Sequence, residues 1–223
     1  MKILVLGDLM GNSGKKALQE NLAKIIKEKN IDFTIVNGEN AAEDGRGITK
    51  DVADELLNNG VDVITSGNHI WDKKETVEFI SKEERLLRPE NLAAGSPGNG
   101  YGVFLSKSKK YKIAVINLMG NVFMKKTEDL FTSAKKLQNK IKLKENADFI
   151  IVDIHGETTS EKMAMGHYFD GKATAVVGTH THVPTADTRI LDNGTAYQTD
   201  IGMCGDYNSV IGMNKENSIM NFL

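Results

Sequence analysis

The sequence predicts an α/β fold with a largely parallel sheet, because short apolar runs alternate with amphipathic segments along the chain. The runs are rich in Val and Ile, as is typical of strands buried on both faces. No internal repeat or Pro/Ser-rich linker interrupts the 223 residues, so we expect one domain spanning 1–223. The predicted strands are residues 3–6, 33–36, 61–64, 113–116, 149–154 and 173–177.

Amphipathic segments lie between these runs. Residues 13–29 carry apolar side chains at three- and four-residue intervals, which predicts a helix with one buried face. Residues 49–58 repeat the pattern, with Thr49 as the N-cap. Thr158 and Glu161 have the spacing of a capping box, so a further helix is predicted to begin there.

The middle of the chain contains a loop, a hairpin and a lysine-bearing helix pattern. Four glycines and a proline make residues 95–102 a loop. Apolar residues near 103 and 113 flank a turn at 107–110, which predicts a β-hairpin. Residues 125–144 place lysines opposite apolar side chains. We prefer a solvated helix face there to the alternative, a nucleic-acid surface.

Composition limits the functional classes. The formal net charge is −2, so no overall positive field attracts long nucleic acid. The first apolar run is too short for a signal peptide, and no window approaches the roughly 18 apolar residues of a membrane helix. Cys204 is the only cysteine, which excludes an internal disulfide framework and leaves any metal site to oxygen and nitrogen ligands. We therefore expect a cytoplasmic protein with no membrane partner.

Metal-capable side chains occur where the apolar runs end. Because ligands bind beyond the carboxyl ends of parallel strands, these side chains are predicted to meet at one edge of one sheet. Glycine precedes them in three cases, at Gly7, Gly38 and Gly67, and allows a sharp turn. The side chains are Asp8, Glu39, Asn40, Asn68, His69, His155, His180 and His182.

Each of these residues alone has an ordinary structural interpretation. An isolated Asp8 is more often a turn residue or helix cap than a ligand, and Glu39 with Asn40 could form a solvated loop. Asn68 could cap the next helix, and His155 could be a hydrogen-bonded core histidine. The joint pattern is hard to obtain from turn chemistry, and it includes three of only five histidines as ligand candidates. It therefore indicates a metal site.

The pair His180 and His182 favours metal ligation even in isolation. If the segment is extended, both imidazoles point to the same side, because side chains alternate along a strand. His167 lies inside a helix pattern and is interpreted as a surface or packing residue. Asp153 and Asp200 receive no role from their spacing.

The set of donors exceeds the needs of one ion. Two carboxylates, two amides and three imidazoles outnumber the roughly four ligands of a structural zinc site. They suffice for two ions that share a bridging carboxylate, and ligation without sulfur fits Mn, Fe, Zn or Co. Two such ions, roughly 3.5–4 Å apart, can clamp a phosphoryl group and lower the pKa of a water molecule. The pattern thus predicts phosphoester hydrolysis.

His69 is the remaining polar residue of the set. Beside a candidate asparagine ligand, it is positioned to protonate a leaving oxygen as general acid. Asp72 could orient His69, but Asp72 and Glu75 also have the spacing of a helix start, which is the preferred interpretation.

These motifs together resemble those of the calcineurin-like metallophosphoesterases. The Asn-His and His-x-His elements in this order are highly specific in combination. More narrowly, the chain resembles the YmdB-type bacterial phosphodiesterase family over nearly its whole length. The superfamily motifs are Gly7-Asp8, Gly38-Glu39-Asn40, Gly67-Asn68-His69, His155-Gly156 and Gly178-Thr179-His180-Thr181-His182, and the narrower match lies in residues 36–42, 67–72, 178–187 and 199–203.

The resemblance implies a four-layer α/β/β/α sandwich with two divalent or trivalent ions, iron or manganese before zinc. It also implies hydrolysis of small phosphodiesters, with cyclic nucleotides such as 2′,3′-cyclic AMP as substrates. Carried over by position, Glu39 would bridge the ions and His69 would be the acid near the phosphate. One ion would take Asp8, Asn40 and His182, and the other would take Asn68, His155 and His180.

The chain departs from these patterns in two places. The wider superfamily has a histidine two residues after the first aspartate, but Met10 stands there, and Asn40 would substitute as an oxygen ligand. That change favours iron or manganese over zinc. The chain also stops at Leu223, sooner than the family pattern predicts, which would leave a sheet edge or core surface uncovered.

Other functions remain open at this level. The same ion pair would serve a phosphomonoesterase, and a mononuclear hydrolase needs only part of the ligand set. From a different class, the lysine-bearing helix and the 95–102 loop would suit a regulatory protein that senses a nucleotide or RNA with little turnover. We expect a small phosphodiester as partner, and nucleic acid only as a small RNA-derived product. A homo-oligomer is left open.

Overall fold

The structure is a computed structural model that describes residues 1–223. Its helices are α1 (Gly11–Lys29), α2 (Lys50–Asn58), α3 (Lys74–Phe79), α4 (Leu130–Lys140), α5 (Thr159–Tyr168) and α6 (Lys215–Met220). Its strands are β1 (Ile3–Leu6), β2 (Asp8–Leu9), β3 (Phe33–Asn37), β4 (Val63–Thr65), β5 (Tyr101–Leu105), β6 (Lys112–Met119), β7 (Phe149–His155), β8 (Ala175–Thr179), β9 (Arg189–Ile190), β10 (Ala196–Gln198) and β11 (Met203–Cys204). No helix has the length and hydropathy needed to span a membrane.

The strands form two main sheets and one small one. The first is three-stranded and parallel, in the order β1-β3-β4. The second is six-stranded, in the order β5-β6-β7-β8-β10-β9, and only its outer strands β5 and β9 run antiparallel to their neighbours. Strand β2 pairs in parallel with β11, which joins the start of the chain to a segment near its end.

The two main sheets pack face to face between two layers of helices. Alternate residues of a strand point to opposite faces, so one strand can serve two cores. In β6, Ile113 and Val115 pack between the sheets, whereas Ala114 and Ile116 pack with α4 and α5. In β3, Ile35 likewise faces the second sheet, whereas Val36 packs with α1 and α2. The four-layer α/β/β/α sandwich predicted above is thereby confirmed.

Several predicted boundaries are confirmed, α1 begins two residues early at Gly11, β6 extends to Met119, and two strands begin late. Strand β1 has the predicted bounds, the hairpin of β5 and β6 is present, and Thr49 caps α2 by accepting a hydrogen bond from the Val52 amide at 3.4 Å. Strands β4 and β8 begin two residues later than predicted, at Val63 and Ala175. The reason is that the apolar residues before them still belong to helix-ending turns. The Val61 amide donates to the carbonyl of Leu56 in α2, and the Ala173 amide donates to that of Phe169, the C-cap of α5.

The predicted capping box is only partly correct. Thr158 is the N-cap of α5, but its side chain accepts no hydrogen bond from the helix. Glu161 instead accepts backbone amides from Asn121 and Val122, together with the Thr158 hydroxyl. The carboxylate therefore ties α5 to the loop after β6. In α4, the lysines are exposed and Leu130, Ala134 and Leu137 are buried, which is the predicted solvated face.

The prediction that the polar residues share one edge of one sheet is wrong. Strands β1, β3 and β4 belong to the first sheet, and β7 and β8 belong to the second. The carboxyl ends adjoin because the sheets are stacked with these strands running the same way. Hydrogen bonds cross between the sheets at this point: the Asn37 amide and the Thr65 hydroxyl both donate to Asp153 Oδ2, at 3.0 and 2.5 Å.

Candidate metal centre

His155 is the hub of one group of candidate ligands. It is the last residue of β7 and is fully buried. Its Nε2 atom lies 2.9 Å from Glu39 Oε1, 3.1 Å from Asn68 Oδ1 and 3.0 Å from His180 Nδ1. Side chains from the ends of β3, β4, β7 and β8 therefore converge on one point.

A second group lies around Asp8, the first residue of β2. Asp8 Oδ1 is 4.0 Å from His182 Nε2 and 3.8 Å from His155 Nδ1. His182 Nε2 is in turn 3.3 Å from Asn40 Oδ1. The structure thus brings all seven candidate ligands together around His155 and Asp8.

The residues present fit a bound cation. Asp8 Oδ1 is buried without any hydrogen-bond partner, and a buried unpaired carboxylate oxygen is costly unless a positive charge compensates it. Glu39, His155 and His180 each present a ligand atom, all within 4.8 Å of one another. Gly67 keeps that space open, because a Cβ at this position would overlap His155 Nε2 and Glu39 Oε2.

The electrostatics of the site are dominated by buried charges. Burial alone would raise the pKa of Glu39, but the adjacent His155 outweighs it and lowers that pKa to about 2. Burial would lower the pKa of His155, but Glu39, Asp8 and Asp153 raise it to about 9. Burial raises the pKa of Asp8 to about 6. Burial and the His155 charge lower the pKa of His180 to about 4. In the absence of metal, the surrounding carboxylates therefore stabilise a proton on His155, and this positive charge takes the place of a metal cation.

The segment of His180 and His182 is not extended, so the argument from strand alternation is wrong. Both residues have positive φ angles, 103° and 65°. Such angles cost non-glycine residues about 1–3 kcal/mol each and persist only where surrounding contacts hold them. The backbone turns sharply after β8, so His180 reaches His155 while His182 reaches Asn40. His182 Nδ1 is 2.7 Å from the Ile211 carbonyl, which leaves its Nε2 facing the site.

Buried polar residues hold the His155 ring through its Nδ1 atom. Asp153 accepts the Thr179 hydroxyl at 2.7 Å, so the Thr179 oxygen can accept the Nδ1 proton of His155 at 2.9 Å. That bond leaves Nε2 of His155 as the free ligand atom. Sequence reasoning gave Asp153 no role, although an acid inside an apolar strand run was a usable signal, since buried acids are rare.

Asp72 orients His69, contrary to the preferred sequence interpretation. Asp72 Oδ2 is 2.7 Å from His69 Nδ1, and Lys125 donates to Asp72 Oδ1 at 3.1 Å. Helix α3 begins later, with Lys73 as its N-cap, so Asp72 does not start it. Partial burial favours a higher pKa for Asp72, but the bonds from His69 and Lys125 outweigh it and lower the pKa. His69 therefore has Nε2 as its free ring nitrogen.

A cavity of about 410 Å³ opens beside the two groups. His69 lines it, as do two charged residues that the sequence did not single out, Arg46 and Glu157. Glu157 Oε2 is 3.1 Å from His180 Nε2, and Arg46 is exposed at the rim. Local sequence patterns do not identify these two residues, because each lies in a loop whose path brings it to the cavity.

The chain is similar to known proteins over its whole length. A family model described as YmdB-like protein matches residues 4–223. The Bacillus subtilis (strain 168) protein named 2′,3′-cyclic-nucleotide 2′-phosphodiesterase is 45% identical over 222 residues, which cover 100% of this chain and 82% of that protein.

Two solved structures are similarly close. The crystal structure of a hypothetical protein from Thermus thermophilus is 40% identical with a TM-score of 0.91, covering 100% of this chain and 84% of that one. The crystal structure of a novel phosphatase from Mycoplasma pneumoniae is 41% identical with a TM-score of 0.90, covering 100% and 79%. The match over nearly the whole chain confirms the resemblance seen in the motifs: this chain belongs to the YmdB-like protein family.

Proposed function

We propose that the chain is a dinuclear-metal phosphodiesterase that hydrolyses small phosphodiesters in the cavity beside His155. The observation that carries this proposal is the convergence of Glu39, Asn68 and His180 on His155 Nε2, beside a buried Asp8 oxygen without a partner. Similarity to the Bacillus subtilis enzyme supports a 2′,3′-cyclic nucleotide as substrate, with cleavage of the bond to the 2′ oxygen.

The division of the ligands between two ions follows the family pattern. Asp8, Asn40 and His182 would hold one ion, and Asn68, His155 and His180 would hold the other, with Glu39 between them. Oxygen and nitrogen donors without sulfur suit iron, manganese or zinc, and the amide of Asn40 favours iron or manganese. When bound, the ions would supply Lewis-acid stabilisation of the phosphoryl oxygens and a water of lowered pKa.

The side chains of this chain carry out the remaining steps. His69 donates the proton that the leaving oxygen needs, from the ring nitrogen that Asp72 leaves free. Asp72 fixes the ring so that little orientational freedom is lost at the moment of reaction. Arg46 at the cavity rim offers a guanidinium to the anionic substrate.

Substrate assays with the metal-loaded protein test this function. The protein is stripped with a chelator, reloaded with Mn²⁺ and incubated with 2′,3′-cyclic AMP, and the products are separated by chromatography. We expect the 3′-monophosphate, and no product from the stripped protein. Formation of product at equal rates with and without metal would contradict the proposal.

A phosphomonoesterase is the nearest alternative, and the similarity to the Mycoplasma pneumoniae protein, which is described as a phosphatase, favours testing it. The rates on bis(p-nitrophenyl) phosphate and p-nitrophenyl phosphate separate the two activities. The proposed function predicts faster hydrolysis of the diester. Calorimetry that detects tight nucleotide binding without product, with metal present, would instead indicate a regulatory sensor.

A further inference from the structure

Asp200 and Lys162 form an ion pair buried next to the turn that carries His180 and His182. Lys162 Nζ lies 2.9 Å from Asp200 Oδ2, and the two side chains are only 1% and 0% exposed. A buried ion pair is weak support for stability, because desolvation offsets most of the attraction. Its presence at this position therefore requires a more specific explanation.

The contacts of Asp200 supply that explanation. Its Oδ2 accepts the backbone amide of Thr181 at 3.1 Å and the Thr181 hydroxyl at 2.8 Å. Its Oδ1 accepts the Gly202 amide at 2.8 Å, and the Gly202 carbonyl accepts the Asp8 amide at 3.2 Å. The Asp200 carboxylate thus binds Thr181, which lies between the two histidines. It also binds Gly202, whose carbonyl accepts the Asp8 amide.

The turn needs such a contact. His180 and His182 both have positive φ angles, which non-glycine residues rarely adopt. Thr181 lies between them and makes its side-chain contact with Asp200, while Lys162 supplies the countercharge from α5. The His180 amide also donates to Asp8 Oδ2 at 3.0 Å, so Asp200 is one of two carboxylates on this turn. Without Asp200, Thr181 would lose two hydrogen bonds, and the restraint against relaxation to negative φ would weaken.

We infer that Asp200 is a positioning residue that acts through Thr181 to hold His180 and His182 at the metal centre, with Lys162 holding Asp200 in turn. The inference rests on the proposed metal site. In this inference the buried ion pair holds His180 and His182, which are candidate ligands of different ions, in place before metal binds. Partners of this kind typically change metal affinity about 10- to 100-fold when removed.

The test compares the parent with Asp200→Asn, whose NH2 group meets a donor in either orientation: Lys162 and Thr181 on one side or the Gly202 amide on the other. Calorimetry on metal-free protein is expected to give a Kd for Mn²⁺ about 10- to 100-fold weaker in the variant. Hydrogen exchange of residues 179–183, measured without metal, is expected to be faster. Asp170→Asn is the matched control: Asp170 accepts the Asn193 amide at 3.0 Å near the other end of β8, so exchange should rise there while the Mn²⁺ affinity is unchanged.

If Asp200→Asn does not fold, Thr181→Val decides the question, since it removes one hydroxyl donor and leaves the ion pair intact. We expect its Mn²⁺ affinity to fall by about tenfold. A folded Asp200→Asn or Thr181→Val protein with the parent Kd and parent exchange would overturn the inference. A parent that binds no Mn²⁺ would contradict the proposed function, whereas the exchange of residues 179–183 would still show whether Asp200 holds the turn.

Discussion

Glu39 Oε1 lies 2.9 Å from His155 Nε2, and the two side chains are almost completely buried. They come from different sheets, Glu39 after β3 and His155 at the end of β7. The pair is therefore the point at which the two sheets meet at the proposed centre. Without metal, the opposite charges stabilise each other, and the shifted pKa values of both groups record that interaction.

Glu39→Gln should remove the proposed bridging carboxylate while keeping its shape. Because the change removes a direct ligand rather than a supporting group, we expect the Mn²⁺ affinity to fall by about 100-fold or more and turnover to be lost. Calorimetry and the cyclic-nucleotide assay measure the two effects, and circular dichroism checks the fold. Glu43→Gln, at an exposed acid nearby, is the control. Full activity in Glu39→Gln would rule out the bridging role.

Metal binding should release protons at neutral pH. With pKa values of about 9 for His155, about 6 for Asp8 and about 4 for His180, His155 is the ligand that still holds a proton at pH 7. We expect release of about one proton per chain, and affinity that rises with pH toward 9. Calorimetry in two buffers of different ionisation enthalpy measures the release. Identical heats in both buffers would contradict the assignment.

The same shift affects the stability of the metal-free protein. A raised pKa for His155 means that its pairing stabilises the fold fully below the ordinary value of 6.5. That contribution is lost as pH rises through about 9. Urea unfolding of the chelator-treated protein should therefore show stability falling between these values. The parent saturated with Mn²⁺ should lack this decline, because the metal replaces the proton.

Two buried threonines offer a matched comparison of hydroxyl groups. Thr179→Val leaves Asp153 Oδ1 without its hydrogen-bond donor, so we expect the unfolding free energy to fall by about 1–3 kcal/mol. Thr34 is equally buried, but its hydroxyl has no partner. Thr34→Val should therefore leave the stability unchanged or increase it. Urea denaturation of both variants measures the difference, and equal losses would show that the link to Asp153 contributes nothing.

His69→Gln tests the general acid through the leaving group. A general acid contributes about 100- to 10,000-fold when the leaving oxygen must be protonated. We expect a loss in this range with 2′,3′-cyclic AMP, and a much smaller loss with bis(p-nitrophenyl) phosphate, whose nitrophenolate leaves without a proton. Asp72→Asn should change the rates in the same direction by less. Equal losses on both substrates would show that His69 acts otherwise.

Local sequence patterns predicted the elements that position the candidate site. Strand β1 was predicted with its bounds because four consecutive apolar residues end at a glycine and an acid. The polar residues at or just after the ends of β3, β4, β7 and β8 were recognised because an interrupted apolar run marks a strand end wherever the strand lies. Their convergence follows from the stacking of two sheets at the carboxyl ends of their parallel strands. The second sheet was implied only by the resemblance, and the division of the ligands between the sheets was not predicted.

Contacts between distant segments could not be predicted from such patterns. Asp200 meets Lys162 and Thr181 across separate elements, and Asp153 meets Thr179 across two strands. Periodicity describes which face of an element is buried, but it does not say which polar partner lies there. Strands as short as β2 and β11 have no period to detect, and the turn with positive φ at His180 and His182 makes its contacts with residues distant in sequence, such as Thr181 with Asp200.

The metal content of the protein tests the central claim most directly. Chelator-treated protein is dialysed to equilibrium against Mn²⁺, and the bound metal per chain is measured by elemental analysis. Convergence of the ligand groups around Asp8 and His155 predicts about two ions per chain. A ratio of one would contradict the dinuclear site, and a ratio near zero would contradict the metal centre itself.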